Sequence, residues 1–156
     1  MKQKMKTLIL GLGNDLLGDD AVGILAVRLL KQELCNKADL VECPLHGLAL
    51  LEFFVGYDRA IIIDSIQTGR HPPGTICDYS PDDLDCVISP SPHYSGLPEM
   101  LALAKQLDLE FPKEIKIFAL EVLDPCTIGC DLSEPVRQAL PDLMQKVRDQ
   151  LNDWEI

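Results

Sequence analysis

The sequence predicts an α/β protein: a three-layer sandwich in which helices cover both faces of a mostly parallel, twisted sheet. Short apolar runs typical of strands alternate along the chain with longer segments whose apolar residues recur at helical spacing. The run at residues 60–63 is hydrophobic throughout, as in strands that are buried on both faces. Strands connected through helices pair in parallel with right-handed crossovers, which produces the three layers.

Five strands and four helical regions account for most of the chain. The strands are predicted at residues 7–10, 39–43, 60–63, 75–79 and 115–120, with the fourth at an edge of the sheet. The helical regions are predicted to begin at residue 21, to cover residues 47–55 and 97–107, and to run from residue 133 to about residue 152. The acidic, proline-containing stretch at residues 80–92 is predicted to be a loop.

Local signals define the first and last helices. Asp19 and Asp20 precede the first helix, where negative charge is favourable, and Asp19 is predicted simply to cap it. Ser133 is predicted to be the N-cap of the last helix, which Pro141 should kink or split. The buried stripe of the first helix is expected at Val22, Leu25, Ala26, Leu29 and Leu30.

Length and charge exclude several classes of protein. The 156 residues fit a single domain over residues 1–156. The chain has 14 Lys and Arg residues against 25 Asp and Glu, a net charge of −11, which disfavours binding to nucleic acids and to anionic membranes. No run approaches the roughly 18 to 20 apolar residues that span a bilayer. Six scattered cysteines without an export signal predict reduced, mostly buried thiols in the cytoplasm.

The loop after the first strand resembles a dinucleotide-binding fingerprint. Gly11 and Gly13 follow this strand, and Glu42 lies at the end of the next one, where a ribose-binding acid would be. The third glycine of the fingerprint would fall at position 16, which is Leu16, and the two acids before the helix would repel a pyrophosphate. A dinucleotide-dependent oxidoreductase is therefore an alternative and not the preferred interpretation.

Three side chains are candidates for a metal site. Asp20 precedes the first helix, Asp64 ends the third strand, and His93 lies in a loop that leads into a helix. Open α/β sheets bind their ligands at the carboxyl ends of the strands, where these residues would meet. Two carboxylates and one imidazole suit borderline divalent metals such as nickel or zinc. Three protein ligands would leave coordination positions open for a group of the substrate.

The same residues carry a resemblance to a known family. The run at residues 8–23 (LILGLGNDLLGDDAVG) resembles the opening motif of the [NiFe]-hydrogenase maturation endopeptidases. The run at residues 61–65 (IIIDS) is similar to that family's second acidic motif, and the run at residues 91–97 (SPHYSGL) to its histidine motif. The three motifs occur in the expected order, and the likeness extends over nearly the whole chain.

The resemblance implies a five-stranded α/β fold and a specific reaction. Members of the family remove a C-terminal extension from the precursor of the hydrogenase large subunit after nickel has been inserted. It implies a cytoplasmic monomer whose partner is that precursor, and a nickel-dependent endopeptidase of aspartic or metal-assisted type. Asp20, Asp64 and His93 carry over as the metal-contacting and catalytic residues. We expect the nickel to arrive with the substrate, and we expect no resident organic cofactor.

Two points stay open at this stage. Family members commonly carry an acid followed by a Gly-Gly-Thr-like loop after the second strand, where this chain has Glu42, Cys43 and Pro44. We interpret this loop as a determinant of which hydrogenase is recognised. A non-catalytic, nickel-sensing maturation chaperone on the same fold is the main alternative to an endopeptidase.

Overall fold

The fold was analysed in a computed structural model that describes residues 3–45, 47–86, 97–129 and 131–155. Its five-stranded sheet has the order β2-β1-β3-β5-β4. All neighbouring strands pair in parallel except β4, which pairs antiparallel with β5 at one edge. The strands are β1 (Thr7–Leu12), β2 (Asp39–Cys43), β3 (Arg59–Ile66), β4 (Ile76–Tyr79) and β5 (Glu114–Glu121). The predicted fold, including the edge position of the fourth strand, is confirmed.

Helices cover both faces of this sheet. The α-helices are α1 (Val22–Leu34), α2 (Leu51–Phe54), α3 (Leu97–Gln106) and α4 (Glu134–Glu155). Short 3-10 helices lie in the connections. They are Gly18–Ala21 before α1, Gly47–Leu50 before α2 and Pro81–Cys86 after β4. Within the described parts of the chain, no helix is both long and apolar enough to cross a membrane.

The core consists of two apolar clusters, one on each face of the sheet. On one face, alternate residues of the central strands, such as Ile61 and Ile63, pack against α1 and α4. On the other face, Ile62 packs with Phe54 of α2 and Met100 of α3. Burial on both faces explains why β1 and β3 are almost uninterrupted apolar runs.

The central strands are longer than the sequence predicts. β1 extends to Leu12 and β3 to Ile66, because Ile66 still pairs with Glu121 of β5. Asp64, which pairs with Ala119, therefore lies two residues before the end of β3 and does not end the strand. In α1 the expected stripe is confirmed at Val22, Ala26 and Leu30, whereas Leu25 is half-buried and Leu29 is 56% exposed.

Three further predictions differ from the structure. Pro141, expected to kink or split the last helix, does not split it: the helix continues from Glu134 to Glu155, because burial of its apolar stripe against the sheet compensates for the one backbone donor that proline lacks. In the stretch at residues 80–92, predicted to be a loop, a 3-10 helix covers Pro81–Cys86, and residues 87–92 lie outside the described residues. The described cysteines are not mostly buried: Cys43 is buried, but Cys35 and Cys126 are exposed.

A candidate active site at the carboxyl edge of the sheet

Glycines of the first motif bring the turn before α1 against the end of the sheet. Gly23 leaves no space for a side chain, since a Cβ there would lie 2.5 Å from the carbonyl oxygens of both Leu12 and Ile63. Gly13 has a φ of 142°, and its Cβ would lie 2.0 Å from the carbonyl oxygen of Asp20. Only glycine allows this approach and this backbone conformation. The 3-10 turn that carries Asp20 is therefore held beside β1 and β3.

The Asp20 carboxylate is oriented by two hydrogen bonds, one to each oxygen. The Ser65 hydroxyl donates to Oδ1 at 2.8 Å, and the Asn14 backbone N–H donates to Oδ2 at 3.0 Å. The Asp20 backbone N–H in turn donates to the carbonyl of Leu17 at 2.8 Å. Asp20 is half-buried, so its carboxylate is fixed in direction while part of the residue remains accessible.

Asp64 directly precedes Ser65 in β3. Its side chain is fully buried, and Oδ1 accepts a hydrogen bond from the Ser65 backbone N–H at 2.7 Å. Alternation along β3 places Asp64 on the same face of the sheet as Ile62, the face that α3 covers. The structure thus brings Asp20 to the carboxyl end of β3, where it accepts a hydrogen bond from the residue that follows Asp64. Their role as metal ligands stays a prediction.

The third predicted ligand, His93, lies outside the described residues. Among those that are described, no three His, Cys, Asp or Glu side chains are placed to hold a metal ion. Asp20 and Asp64 are therefore the two predicted site residues that the structure describes.

Asp19 has a different role from the one predicted. It is fully buried and makes no capping hydrogen bond to its own helix. Its Oδ2 accepts hydrogen bonds from the backbone N–H groups of Leu123 and Asp124, at 3.0 and 2.9 Å. Ser133 donates its backbone N–H and its hydroxyl to this carboxylate, each at 2.7 Å. Asp19 thus ties the turn before α1 to the loop after β5 and to the residue before α4.

Sequence reasoning missed a third carboxylate at this edge, Glu121. It is the last residue of β5, is 2% exposed, and accepts hydrogen bonds from the Thr68 backbone N–H, at 2.8 Å in the shorter contact, and from the Thr68 hydroxyl. The register pairs Glu121 with Ile66, two positions after Asp64 on the same face. The signal that selected Asp64, an acid at the end of a buried strand, also applies to Glu121.

Tyr79 of the neighbouring edge strand belongs to the same face. Burial raises the pKa of Tyr79 to about 12, and a hydrogen bond with Cys77 and the negative charge of Glu121 act in the same direction. The phenol is therefore a neutral hydrogen-bonding group at physiological pH. It cannot supply the negative charge that a cation would require.

Glu42 is not available as a ribose-binding acid. Its Oε1 lies 2.5 Å from Nη2 of Arg28, which also lies 3.5 Å from a carboxylate oxygen of Asp15. The ion pair ties the end of β2 to α1. This geometry counts against a dinucleotide site, in agreement with the missing third glycine.

Comparison with solved structures identifies the fold as that of processing peptidases. The protein is similar to the hydrogenase maturating endopeptidase HybD from Escherichia coli, with a TM-score of 0.81 and 27% identity over 96% of this chain and 93% of that one. In sequence it is 32% identical to the hydrogenase 2 maturation protease of Escherichia coli K12, over 78% of this chain and 77% of the relative. It is 28% identical to the hydrogenase expression/formation protein HupD of Rhizobium leguminosarum, over 97% and 76% of the two chains.

These likenesses define the class of the protein as an endopeptidase, and therefore a hydrolase. The sequence model of the hydrogenase maturation protease family matches residues 24–150, well over half of the chain. The protein belongs to the hydrogenase maturation protease family, as the three motifs indicate.

Proposed function

We propose that this protein removes the C-terminal extension of a [NiFe]-hydrogenase large-subunit precursor once nickel has been inserted. Family membership supports the general activity. The observation that carries the site assignment is the hydrogen bond from the Ser65 hydroxyl to Asp20, which places this carboxylate beside the carboxyl end of β3, where Asp64 directly precedes Ser65. Both acids lie at the carboxyl edge of a parallel sheet, where α/β proteins carry their sites.

Nickel serves in this proposal as part of the substrate. An ion held by the precursor's thiolates keeps open coordination positions, which Asp20, Asp64 and His93 would occupy. Carboxylate and imidazole ligands suit a borderline divalent ion of this kind. The scissile bond would then be positioned only when the metal is present, which makes cleavage conditional on nickel loading.

The chemistry requires an attacking water and a group that accepts its proton. A bound ion polarises the peptide carbonyl or lowers the pKa of water. Asp20 and Asp64 are the candidates for the base, because a carboxylate within hydrogen-bond reach of the water can take its proton and pass it to the leaving amine. Two carboxylates serve both an aspartic and a metal-assisted mechanism.

Exposed apolar residues beside Asp20 fit a polypeptide substrate. Leu16 is 65% exposed, Leu123 57% and Ile128 78%. The Gly129 backbone N–H donates to the Leu16 carbonyl at 2.9 Å, and an isolated β-bridge joins Leu17 to Ile128, so the two loops form one rim. Exposed apolar side chains grouped next to a site are typical of protein-binding surfaces. We assign this rim to the precursor.

The loop after β2 is the second proposed contact with the precursor. Its Cys43 is buried, whereas Pro44 and Leu45 are exposed. Because this loop follows the strand that pairs with β1, it borders the carboxyl edge. We propose that it determines which hydrogenase is recognised, and that the protein acts as a monomer in the cytoplasm, where the described free cysteines would stay reduced.

The proposal is tested by measuring the mass of a large-subunit precursor incubated with the protein, with and without nickel. We expect a loss of mass only for the nickel-loaded precursor. Asp20→Asn, Asp64→Asn and His93→Ala should each abolish this cleavage while thermal unfolding changes little. Asp142→Asn, at an exposed position of α4, is the matched control and should cleave normally.

Two outcomes would contradict the proposal. Normal processing by all three site variants would show that the residues are wrongly assigned. Tight binding of nickel-loaded precursor by the wild type, with no change in its mass, would instead identify the non-catalytic chaperone.

A further inference from the structure

We infer that Ser65 is a positioning residue that holds the Asp20 carboxylate in the direction required to meet nickel together with Asp64. The inference rests on the proposed function of the site. It adds a residue outside the predicted ligands and assigns it a measurable effect on recognition of the metal-loaded precursor.

Ser65 contacts Asp20 through its side chain and follows Asp64 directly in β3. Its hydroxyl donates to Asp20 Oδ1 at 2.8 Å, and its backbone N–H donates to Asp64 Oδ1 at 2.7 Å. Ser65 is 3% exposed and lies near the end of β3, where it pairs with Leu120 of β5. Asp20 belongs to a short 3-10 turn on a different part of the chain.

The serine hydroxyl joins the Asp20 side chain to the sheet. The other hydrogen bond to this carboxylate comes from Asn14, in the same loop as Asp20, and would move with it. Without the hydroxyl, the carboxylate could rotate about its side-chain bonds and would lose its connection to β3. Each Asp20 oxygen accepts one protein hydrogen bond in this arrangement, which leaves a second lone pair on each for an ion.

Hydrogen bonds to metal-contacting carboxylates are known to set ligand orientation, and their loss typically lowers metal affinity by about 10- to 100-fold. In this proposal the ion is carried by the precursor. Loss of the hydrogen bond should therefore mainly weaken recognition of the nickel-loaded precursor. It should slow the chemical step in the bound complex less.

A purely structural role for Ser65 makes a different prediction. Buried hydroxyl groups are normally hydrogen-bonded, and a serine that only satisfies its own donor could be replaced with effects on stability alone. Two measurements distinguish the positioning role from the structural one. The first is how far KM changes relative to kcat, and the second is whether a variant that restores the hydroxyl also restores KM.

The experiment measures KM and kcat of the full-length protein for nickel-loaded large-subunit precursor, using Ser65→Ala, Ser65→Cys and Ser65→Thr. We expect KM to rise about 10- to 100-fold in the Ala and Cys variants, with a smaller change in kcat. Cys fills nearly the same space with a weak donor, so it tests the hydroxyl even if the Ala variant unfolds. Thr retains the hydroxyl and should restore most of the wild-type KM.

Two controls make the result specific. Ser80→Ala deletes the same atom from an exposed hydrogen bond to Asp83, at 3.1 Å, and should leave both kinetic constants unchanged. In an Asp20→Asn background, measured by binding of nickel-loaded precursor, Ser65→Cys should cost no further affinity, because residues that act through one another are not additive.

The inference is overturned if the Cys variant keeps the wild-type KM, or if Ser65→Cys and Asp20→Asn weaken binding independently. Absence of nickel-dependent cleavage or binding by the wild-type protein would instead refute the proposed function itself. The two failures are thus distinguishable.

Discussion

At the scale of single residues, Asp19 and Asp20 are neighbours in sequence with unrelated surroundings. Asp20 is half-buried and directs its carboxylate to Ser65, while Asp19 is fully buried and accepts four hydrogen bonds from Leu123, Asp124 and Ser133. No local pattern distinguishes two consecutive acids before a helix. The donors to Asp19 come from residues 104 to 114 positions away, which a sequence window does not reveal.

Asp19→Asn should therefore reduce stability, in contrast to Asp20→Asn. The amide NH2 of asparagine would face the N–H groups that now donate to the carboxylate, and would leave buried N–H groups without an acceptor. We expect this to lower the free energy of unfolding by about 3 kcal/mol. Urea unfolding measures this difference. Asp142→Asn, with an exposed carboxylate, should stay within about 0.5 kcal/mol of the wild type. Equal stability of Asp19→Asn and the control would contradict the buried role.

Tyr57 provides a test at alkaline pH. Burial, followed by the hydrogen bond to Asp39 at 2.7 Å, raises the pKa of Tyr57 to about 12. A pKa raised by folding means that this contribution to stability is complete below pH 10, the ordinary range of tyrosine, and is lost as pH rises toward 12.

Tyr57→Phe should accordingly be less stable than the wild type at pH 8, and the difference should shrink between pH 10 and pH 12. Urea unfolding at several pH values gives the difference, and the comparison between the two proteins removes the contributions of other titrating groups. A difference that stays constant across this range would show that the hydroxyl is not coupled to Asp39 as described.

At the scale of elements, the packing of α1 on the sheet depends on Gly23. Gly→Ala within an exposed helix normally stabilises by up to about 1 kcal/mol. At Gly23 the added Cβ would lie 2.5 Å from two backbone oxygens, of Leu12 and Ile63, so the helix would have to move outward.

We expect Gly23→Ala to destabilise the protein by about 1–3 kcal/mol, as overpacking does, and to weaken cleavage because the turn with Asp20 moves with α1. Urea unfolding gives the sign of the change in stability. A gain would mean that helix propensity dominates, and a loss would mean that the close packing of Gly23 dominates. Gln32→Ala, at an exposed position of the same helix, is the control and should change stability little. Stabilisation by Gly23→Ala would refute the close approach.

The last helix shows why boundaries and breaks are harder to predict than element types. Pro141 has a local cost that predicts a break. The buried residues Val136, Ala139, Leu143, Val147 and Leu151 recur at helical spacing on both sides of it and hold one continuous helix against the sheet. Tertiary packing overrides the local preference, and packing is not visible in a single position.

At the scale of the whole molecule, the central strands β1, β3 and β5 follow from the sequence because burial on both faces leaves a strong pattern, which the partly exposed edge strands β2 and β4 show less clearly. The rule that parallel strands end at one edge of the sheet predicts that Asp20 and Asp64 lie at that edge. It does not indicate Ser65, because a serine carries no signal by itself. Glu121 directly follows the predicted end of the last strand at residue 120, so the same rule applies to it.

The proposed rim for the precursor also belongs to the whole molecule, because it joins loops from both ends of the sequence. Ile128→Ser, at a side chain that is 78% exposed, should raise KM for the precursor several-fold and leave stability within about 0.5 kcal/mol. Steady-state cleavage and urea unfolding measure the two effects. Leu29→Ser on the exposed side of α1 is the control, and an equal KM for both variants would remove the rim from the recognition surface.

The four hydrogen bonds to Asp19 have a consequence for biosynthesis. During translation the turn before α1 leaves the ribosome long before Leu123, Asp124 and Ser133, the residues that donate hydrogen bonds to its buried carboxylate. A nascent chain can assemble β1 to β3 while the turn beside them is still unfinished. The turn beside the carboxyl edge of the sheet can therefore acquire its full set of hydrogen bonds only after the start of the final helix has been made.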